Sequence, residues 1–100
     1  LKVHRAYEHM NKGDVAIEEN DTKKALEEYS KAQSLFPNNH EMSFWKGIAL
    51  LNIGEKKQAK EIFKIVFQKN INWKKLIYRL PKSGIISMSE EELDTYFSDL

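Results

Sequence analysis

The sequence predicts an all-α fold, and three observations support this class. Apolar residues recur along most of the chain at steps of three and four, which is the spacing of amphipathic helices. No stretch of the sequence has the character of a β-strand. Residues 26–70 also contain an approximate internal repeat, in which related residues lie 34 positions apart. A fixed period of this length is typical of stacked helical units.

The first two predicted helices lie on either side of a break at Asn20 and Asp21. The apolar stripe of the first helix consists of Val3, Ala6, Met10, Gly13 and Ile17. Thr22 is the predicted N-cap of the second helix, because its hydroxyl can accept a bond from a free backbone N–H. The stripe of this helix runs from Ala25 to Phe36, and its charged residues, Glu28 among them, are predicted to form a solvated face. Pro37 is predicted to end it, because proline lacks the N–H donor.

The third predicted helix, from about Glu41 to Ile53, is apolar on nearly all sides. Such a helix is expected to be buried from more than one direction. Gly54 is predicted to follow its C-cap, where a left-handed conformation is common. The fourth predicted helix extends from about Lys56 to Lys69 and again carries apolar residues on one side.

The last part of the chain is predicted to form two further helices. The first is short, runs from Asn72 to Leu80, and is ended by Pro81. A turn at residues 82–84 follows. Ser89 and Glu92 then have the spacing of a capping box, which predicts the start of the final helix.

Small and aromatic residues recur at the period of the repeat. The matching pairs are Gly13 and Gly47, Ala25 and Ala59, and Tyr29 and Phe63. A small residue in one helix lets its partner helix approach closely, and the aromatic residue fills the space beneath. Because a helical hairpin of this kind cannot bury its outer faces alone, we expect the two hairpins to stack.

On these residues the sequence resembles the tetratricopeptide repeat, with one unit at 6–39 and a second at 40–73. The second unit departs from the family pattern at Val66 and Ile71, and both units lack its first large aromatic, having His9 and Ser43 there. The resemblance implies one domain spanning 1–100. In it, two antiparallel helix-turn-helix units stack as a short right-handed superhelix, and capping helices at 74–100 cover the end.

The resemblance also implies a concave groove that binds a partner protein. Its lining would come from the outward residues of the first helix of each unit, which by position are Tyr7, Met10, Asp14, Ile17 and Glu18, then Phe44, Ile48, Leu51 and Asn52. Some family members grip a terminal carboxylate with lysine where Met10 and Phe44 stand, so that clamp is not expected here. The apolar strip at Phe44, Ile48 and Leu51 is expected to be covered. The cover would be a partner peptide or helix, a second copy of the chain, or the chain's own C-terminal helix.

A second resemblance concerns residues 70–86. This segment is similar to the tail of an uncharacterised family related to N-terminal-nucleophile hydrolases, through Trp73, Arg79, Leu80, Pro81, Gly84, Ile85 and Ile86. It implies that the chain, which begins with Leu1, is the C-terminal piece of a longer protein. The alternative function is then an assembly or substrate-delivery domain with no catalytic residue of its own.

Composition and motifs exclude several classes of function. The net charge of +1 gives no reason to expect nucleic acid or a membrane as partner. There is no cysteine, no apolar run long enough to span a membrane and no signal peptide, which favours a cytoplasmic protein. His4 and His9 do not share a helical face, and no catalytic spacing or phosphate loop is present. We therefore predict a protein–protein interaction module without catalytic, metal or cofactor sites, and a homodimer is one way it could assemble.

One basic and aromatic cluster allows two interpretations. Its members are Trp73, Lys74, Lys75, Arg79 and Lys82. In the favoured interpretation Trp73 is a core anchor and the cations form its solvated flank. In the other, the cluster contacts an acidic partner or nucleic acid.

Overall fold

The computed structural model describes residues 2–37 and 39–100, with side chains from residue 4 onward. Leu1, Asn38 and the side chain of Val3, which was assigned to the first stripe, lie outside this description. The helices are α1 (Lys2–Glu18), α2 (Thr22–Leu35), α3 (His40–Asn52), α4 (Lys56–Lys69), α5 (Asn72–Ile77), α6 (Leu80–Ser83) and α7 (Glu90–Tyr96). The described residues contain no strand, so the all-α prediction is confirmed. None of these helices is long and apolar enough to cross a membrane.

Helices α1 and α2 form the first hairpin. The chain reverses at Asn20, whose φ of 60° lies in the left-handed region that asparagine tolerates. Asp21 then caps α2, because its carboxylate accepts a hydrogen bond from the backbone N–H of Lys24 at 3.2 Å. The prediction that Thr22 is the cap was wrong by one residue, and Thr22 is instead the first residue of the helix.

Helices α3 and α4 form the second hairpin. Asn39 caps α3 by accepting a bond from the N–H of Met42 at 3.2 Å, so the helix begins one residue before the predicted Glu41. Gly54 has a φ of 91° directly after the C-cap of α3, which confirms the predicted position of this glycine.

Each hairpin is closed by contact between a glycine and an aromatic ring. A Cβ atom at position 13 would lie 2.5 Å from Cε1 of Tyr29, and one at position 47 would lie 2.7 Å from Cε1 of Phe63. No larger residue fits there without movement of the ring. The predicted pairing of small and aromatic residues is therefore present in both hairpins.

Helix α3 lies between two apolar clusters. Met42 and Ala49 belong to the cluster that holds residues of α1 and α2, among them Ala6 and Tyr29. The other sides of α3 contribute to a cluster shared with α4 and the C-terminal residues. The prediction that this helix is buried from more than one direction is confirmed.

Residues 72–100 form three short helices, which we call the C-terminal cap. It begins two residues before the predicted cap at 74–100, because α5 includes Asn72 and Trp73 from the end of the second predicted unit. The single helix predicted for Asn72–Leu80 is in fact two, α5 and α6. Pro81 does not end a helix but lies in the first turn of α6, where a missing N–H removes no helical hydrogen bond. At the start of α7, the hydroxyl of Ser89 accepts from the N–H of Glu92 at 3.1 Å, and the N–H of Ser89 donates to the Glu92 carboxylate at 3.2 Å. The predicted capping box is confirmed.

Candidate partner-binding surface

The apolar strip of α3 is covered by the chain itself. Phe44 and Ile48 are 0% exposed and Leu51 is 6% exposed. Trp73 of the C-terminal cap stacks on Phe44 with ring centroids 4.9 Å apart, and the apolar side chains of α6 and α7 join the same cluster. Three possible covers for this strip were considered above, and in the structure the strip is covered by the chain's own C-terminal residues. The prediction that Phe44, Ile48 and Leu51 line a groove for a partner was wrong, because the C-terminal residues of the chain already bury these side chains.

Met10 is also unavailable to a partner. Its side chain is 3% exposed and belongs to the cluster that contains Tyr29 and Met42. The close approach of α1, α2 and α3 covers this position. Met10 is a core residue, and its assignment to the groove was wrong for the same reason.

Two of the remaining predicted groove residues carry exposed polar groups on α1. Tyr7 is 39% exposed, and its hydroxyl oxygen accepts a hydrogen bond from Nδ2 of Asn39 at 3.3 Å. Asp14 is exposed and accepts a hydrogen bond from the Tyr29 hydroxyl at 2.7 Å. Burial, together with this bond and the charge of Asp14, raises the pKa of Tyr29 well above its usual range. Tyr29 therefore stays a neutral donor that holds the carboxylate of Asp14 in place.

Two further predicted residues meet the C-terminal cap at a cleft. Ile17 and Asn52 are half-buried, and Nδ2 of Asn52 donates to the carbonyl of Ile85 at 2.9 Å. The cleft has a volume of about 220 Å³ and is lined by Ile17, Asn20, Thr22, Asn52, Gly84, Ile85 and Ser87. We call this cleft, together with Tyr7, Asp14 and the exposed Glu18 of α1, the open groove. It is the part of the predicted groove that the cap leaves accessible.

Aromatic contacts and hydrogen bonds hold the cap on the second hairpin. Phe97 meets Phe67 edge to face, with ring centroids 5.2 Å apart. The hydroxyl of Tyr78 donates to Asp94 at 2.7 Å, and that of Tyr96 donates to a backbone carbonyl of α4. Burial, the bond to Asp94 and nearby carboxylate charge raise the pKa of Tyr78 to about 12, so this donor stays protonated at neutral pH. The cap is therefore joined to the hairpin by both apolar and polar contacts.

The structure gives His4 and His9 carboxylate partners. Exposed His4 lies 3.1 Å from Glu8, and Nδ1 of half-buried His9 lies 2.6 Å from Glu28. Because an ionised carboxylate only accepts hydrogen bonds, Nδ1 of His9 is the donor. Among the described residues, no group of three or more His, Cys, Asp or Glu side chains could hold a metal ion.

Glu28 was assigned to the solvated face of α2, and this assignment was wrong. The residue is only 7% exposed and lies against α1 through His9. Burial alone would raise the pKa of its carboxyl. The hydrogen bond from His9 and the charges of Lys31, His9 and Lys12 outweigh that effect and hold the pKa below its ordinary value of 4.5. The signal in the sequence was His9 itself, a polar residue where the repeat usually has a large aromatic.

The segment that resembles the hydrolase-related tail has a packing role in this chain. Leu80 and Ile86 are buried, Trp73 stacks on Phe44, and Gly84 has a φ of 77° at the end of α6. These contacts account for most of the matching residues without reference to a further domain. The second resemblance stays a prediction.

The chain was compared with family models, with curated proteins and with solved structures. Residues 6–39 match the family model described as tetratricopeptide repeat. Searches of the curated proteins and of the solved structures each found no match. The matched range begins within α1 and includes the whole of α2, so it corresponds to the first hairpin and to the first unit predicted from the sequence.

Proposed function

Because the chain contains a tetratricopeptide repeat at residues 6–39, and such repeats generally mediate contacts between proteins, we propose that it is a non-catalytic protein-interaction module. We assign the second hairpin, residues 40–73, as a second unit of the same kind. Its support is the contact between Gly47 and Phe63, which repeats that between Gly13 and Tyr29. The proposal includes the cytoplasmic location favoured by the composition.

The proposed binding surface is the open groove, and the proposed ligand is a peptide segment of another protein. One observation carries this assignment: the C-terminal cap covers α3 but leaves Tyr7, Asp14 and Glu18 of α1 accessible beside a cleft of about 220 Å³. An apolar side chain of the ligand would lie against Ile17 and Ile85. Its backbone and polar groups would bond to Tyr7, Glu18 and the other exposed polar groups of α1.

The chemistry of this surface differs from the one expected from the sequence alone. With Phe44, Ile48 and Leu51 inside the protein, the ligand contacts one half-buried aliphatic site surrounded by polar groups. A ligand that matches it carries a single apolar anchor between hydrogen-bonding residues. Long amphipathic helices, which bind through several apolar anchors at helical spacing, fit it poorly.

A pair of substitutions on α1 tests the proposal. Ile17→Glu places a charge at the half-buried floor of the groove, whereas Val15→Glu places the same charge on the same helix at a residue that is already 51% exposed. Affinity capture with quantitative mass spectrometry is expected to recover the same proteins with the intact chain and with Val15→Glu. Ile17→Glu is expected to lose them.

Two outcomes would contradict this proposal. One is that all three proteins, folded by circular dichroism, capture the same partners. The other is that light scattering finds a dimer of the intact chain that only Ile17→Glu dissociates, which would make a second copy the ligand of the groove.

A further inference from the structure

Charge is distributed very unevenly along this nearly neutral chain. Residues 1–61 contain ten basic and ten acidic residues. Residues 62–89 contain six basic residues and no acidic one, and residues 90–100 contain five acidic residues and no basic one. The net charge of +1 therefore conceals a strongly cationic stretch that covers most of α4, all of α5 and all of α6.

The cations of this stretch have no acidic partner in the described part of the chain. The six are Lys64, Lys69, Lys74, Lys75, Arg79 and Lys82. The ion pairs that the described residues form involve other cations, namely His4, His9, Lys31 and Lys60. No ion pair among the described residues therefore involves this stretch, although the charge of Lys64, after the hydrogen bond from Lys60, helps to hold the pKa of Asp99 below its ordinary value.

Two of these lysines border an apolar cleft next to the end of α4. The cleft has a volume of about 370 Å³ and is lined by Lys64, Phe67, Gln68, Ile71, Lys74, Asp99 and Leu100. Ile71 is 55% exposed and Leu100 is 39% exposed, so the floor is aliphatic and accessible. Asp99 is paired with Lys60 at 3.1 Å, which leaves Lys64 and Lys74 without a carboxylate at ion-pair distance. We call this site the cationic cleft.

We propose that the cationic cleft binds an acidic segment of a partner protein. An apolar side chain of the segment lies on Ile71 and Leu100, and its carboxylates lie beside Lys64 and Lys74. Opposite charge on the ligand is required because two unpaired ammonium groups flank the apolar floor. This surface shares no lining residue with the open groove, so the inference does not depend on the ligand proposed there.

The side chains of the cleft favour a protein over a nucleic acid. Proteins that bind single strands offer exposed aromatic rings on which bases stack. Here Trp73 is stacked on Phe44, and Phe67 is only 8% exposed, so the accessible apolar surface is aliphatic.

The test uses a fluorescein-labelled peptide of Leu, Ala and Glu, followed by fluorescence anisotropy at low and high salt. A peptide with Gln in place of every Glu and a single-stranded DNA oligonucleotide are the comparison probes. Lys64→Glu/Lys74→Glu reverses two charges at the cleft. Lys23→Glu/Lys24→Glu makes the same change at two exposed lysines near the start of α2 and is the matched control.

We expect the acidic peptide to bind the intact chain and the control variant equally. The cleft variant should bind it about tenfold more weakly or worse, since an attraction becomes a repulsion at both flanks. The Gln peptide should bind weakly at any salt concentration, and salt should weaken only the acidic peptide. Ile17→Glu in the open groove should leave this binding unchanged. If Lys64→Glu/Lys74→Glu loses helix content by circular dichroism, Lys64→Gln/Lys74→Gln provides the same comparison with neutral side chains.

Several results would overturn the proposal. They are no binding of the acidic peptide at low salt, equal binding of the Gln peptide, an equal loss in the control variant, or tighter binding of the oligonucleotide. A dimer of the intact chain in sedimentation that the cleft variant dissociates would also overturn it. In that case the acidic residues 90–100 of a second copy would be the occupant.

Discussion

The first hairpin places Tyr29 beneath Gly13, whereas the second places Phe63 beneath Gly47. The hydroxyl of Tyr29 reaches Asp14, and the matching position in the second hairpin is the fully buried Ile48. The first hairpin therefore has a buried tyrosine bonded to an exposed carboxylate, whereas the second has an apolar pair in the core. The two hairpins differ here because the C-terminal cap packs on the outward side of α3, whereas the outward side of α1 has no such cover among the described residues.

This contrast separates a surface used for packing from a surface that stays accessible. The apolar outward side of α3 holds the cap and contributes to stability. The polar outward side of α1 remains accessible, and it is there that we place the groove ligand. The same helical position is thus buried in one hairpin and exposed in the other, and the four predictions below test this contrast.

The largest effect is expected for Phe44→Ala. Phe44 is fully buried and joins α3 to the cap through Trp73, so the free energy of unfolding should fall by about 4 kcal/mol. Tyr7→Ala, at an exposed residue of α1, should change it by less than about 0.5 kcal/mol. Urea unfolding followed by circular dichroism measures both, and similar costs for the two variants would refute the contrast.

A smaller effect is expected for Gly13→Ala and Gly47→Ala. The added methyl group meets the ring of Tyr29 or Phe63, and such overpacking costs about 2 kcal/mol. Gly13→Ala should cost more, because the hydrogen bond to Asp14 restrains the ring of Tyr29. In an exposed helix interior, replacing Gly by Ala is stabilising by roughly 0.5–1 kcal/mol. A rise in the midpoint of thermal unfolding for either variant would therefore contradict the predicted contact.

The pair formed by His9 and Glu28 is a feature of the first hairpin, because Ser43 and Ile62 take the matching positions in the second. Glu28→Gln should lower the free energy of unfolding by about 1.5 kcal/mol at pH 7. The folded-state pKa of Glu28 lies below its ordinary 4.5, so its stabilisation is present above that value and is lost as the pH falls through the folded pKa. Urea titrations between neutral and acidic pH should therefore show the difference between the two proteins shrinking. A difference that does not change with pH would exclude the charged pair as its source.

The smallest effect is expected for Tyr29→Phe, which gives the first hairpin the aromatic residue of the second. Loss of the bond to Asp14 should cost about 1 kcal/mol. A double-mutant cycle with Asp14→Ala isolates this pair from other consequences of each change. A coupling energy near zero would show that the polar pair contributes nothing to the first hairpin.

Local features of the fold could be predicted from the sequence, with errors of one residue at helix starts. Gly54 and Ser89 were assigned their correct roles because turns and caps depend on residues a few positions away. Pro81 was misjudged because proline is compatible with a helix start as well as a helix end, and the distinction depends on where the following residues pack. Glu28 was misjudged because nothing in α2 itself shows that His9 of α1 approaches it.

The sequence by itself determined the kind of structure: helical hairpins with a glycine packed against an aromatic ring, and a helix α3 too apolar to face water. Both features follow from the spacing and the size of side chains, which can be read from residues that are close together in the sequence. The tertiary structure alone decided which outward residues are free. Phe44 had to be covered, but Trp73 covers it from 29 positions along the chain, and Asn52 binds the carbonyl of Ile85 across 33. Such contacts depend on how the whole C-terminal cap docks, which no local pattern encodes.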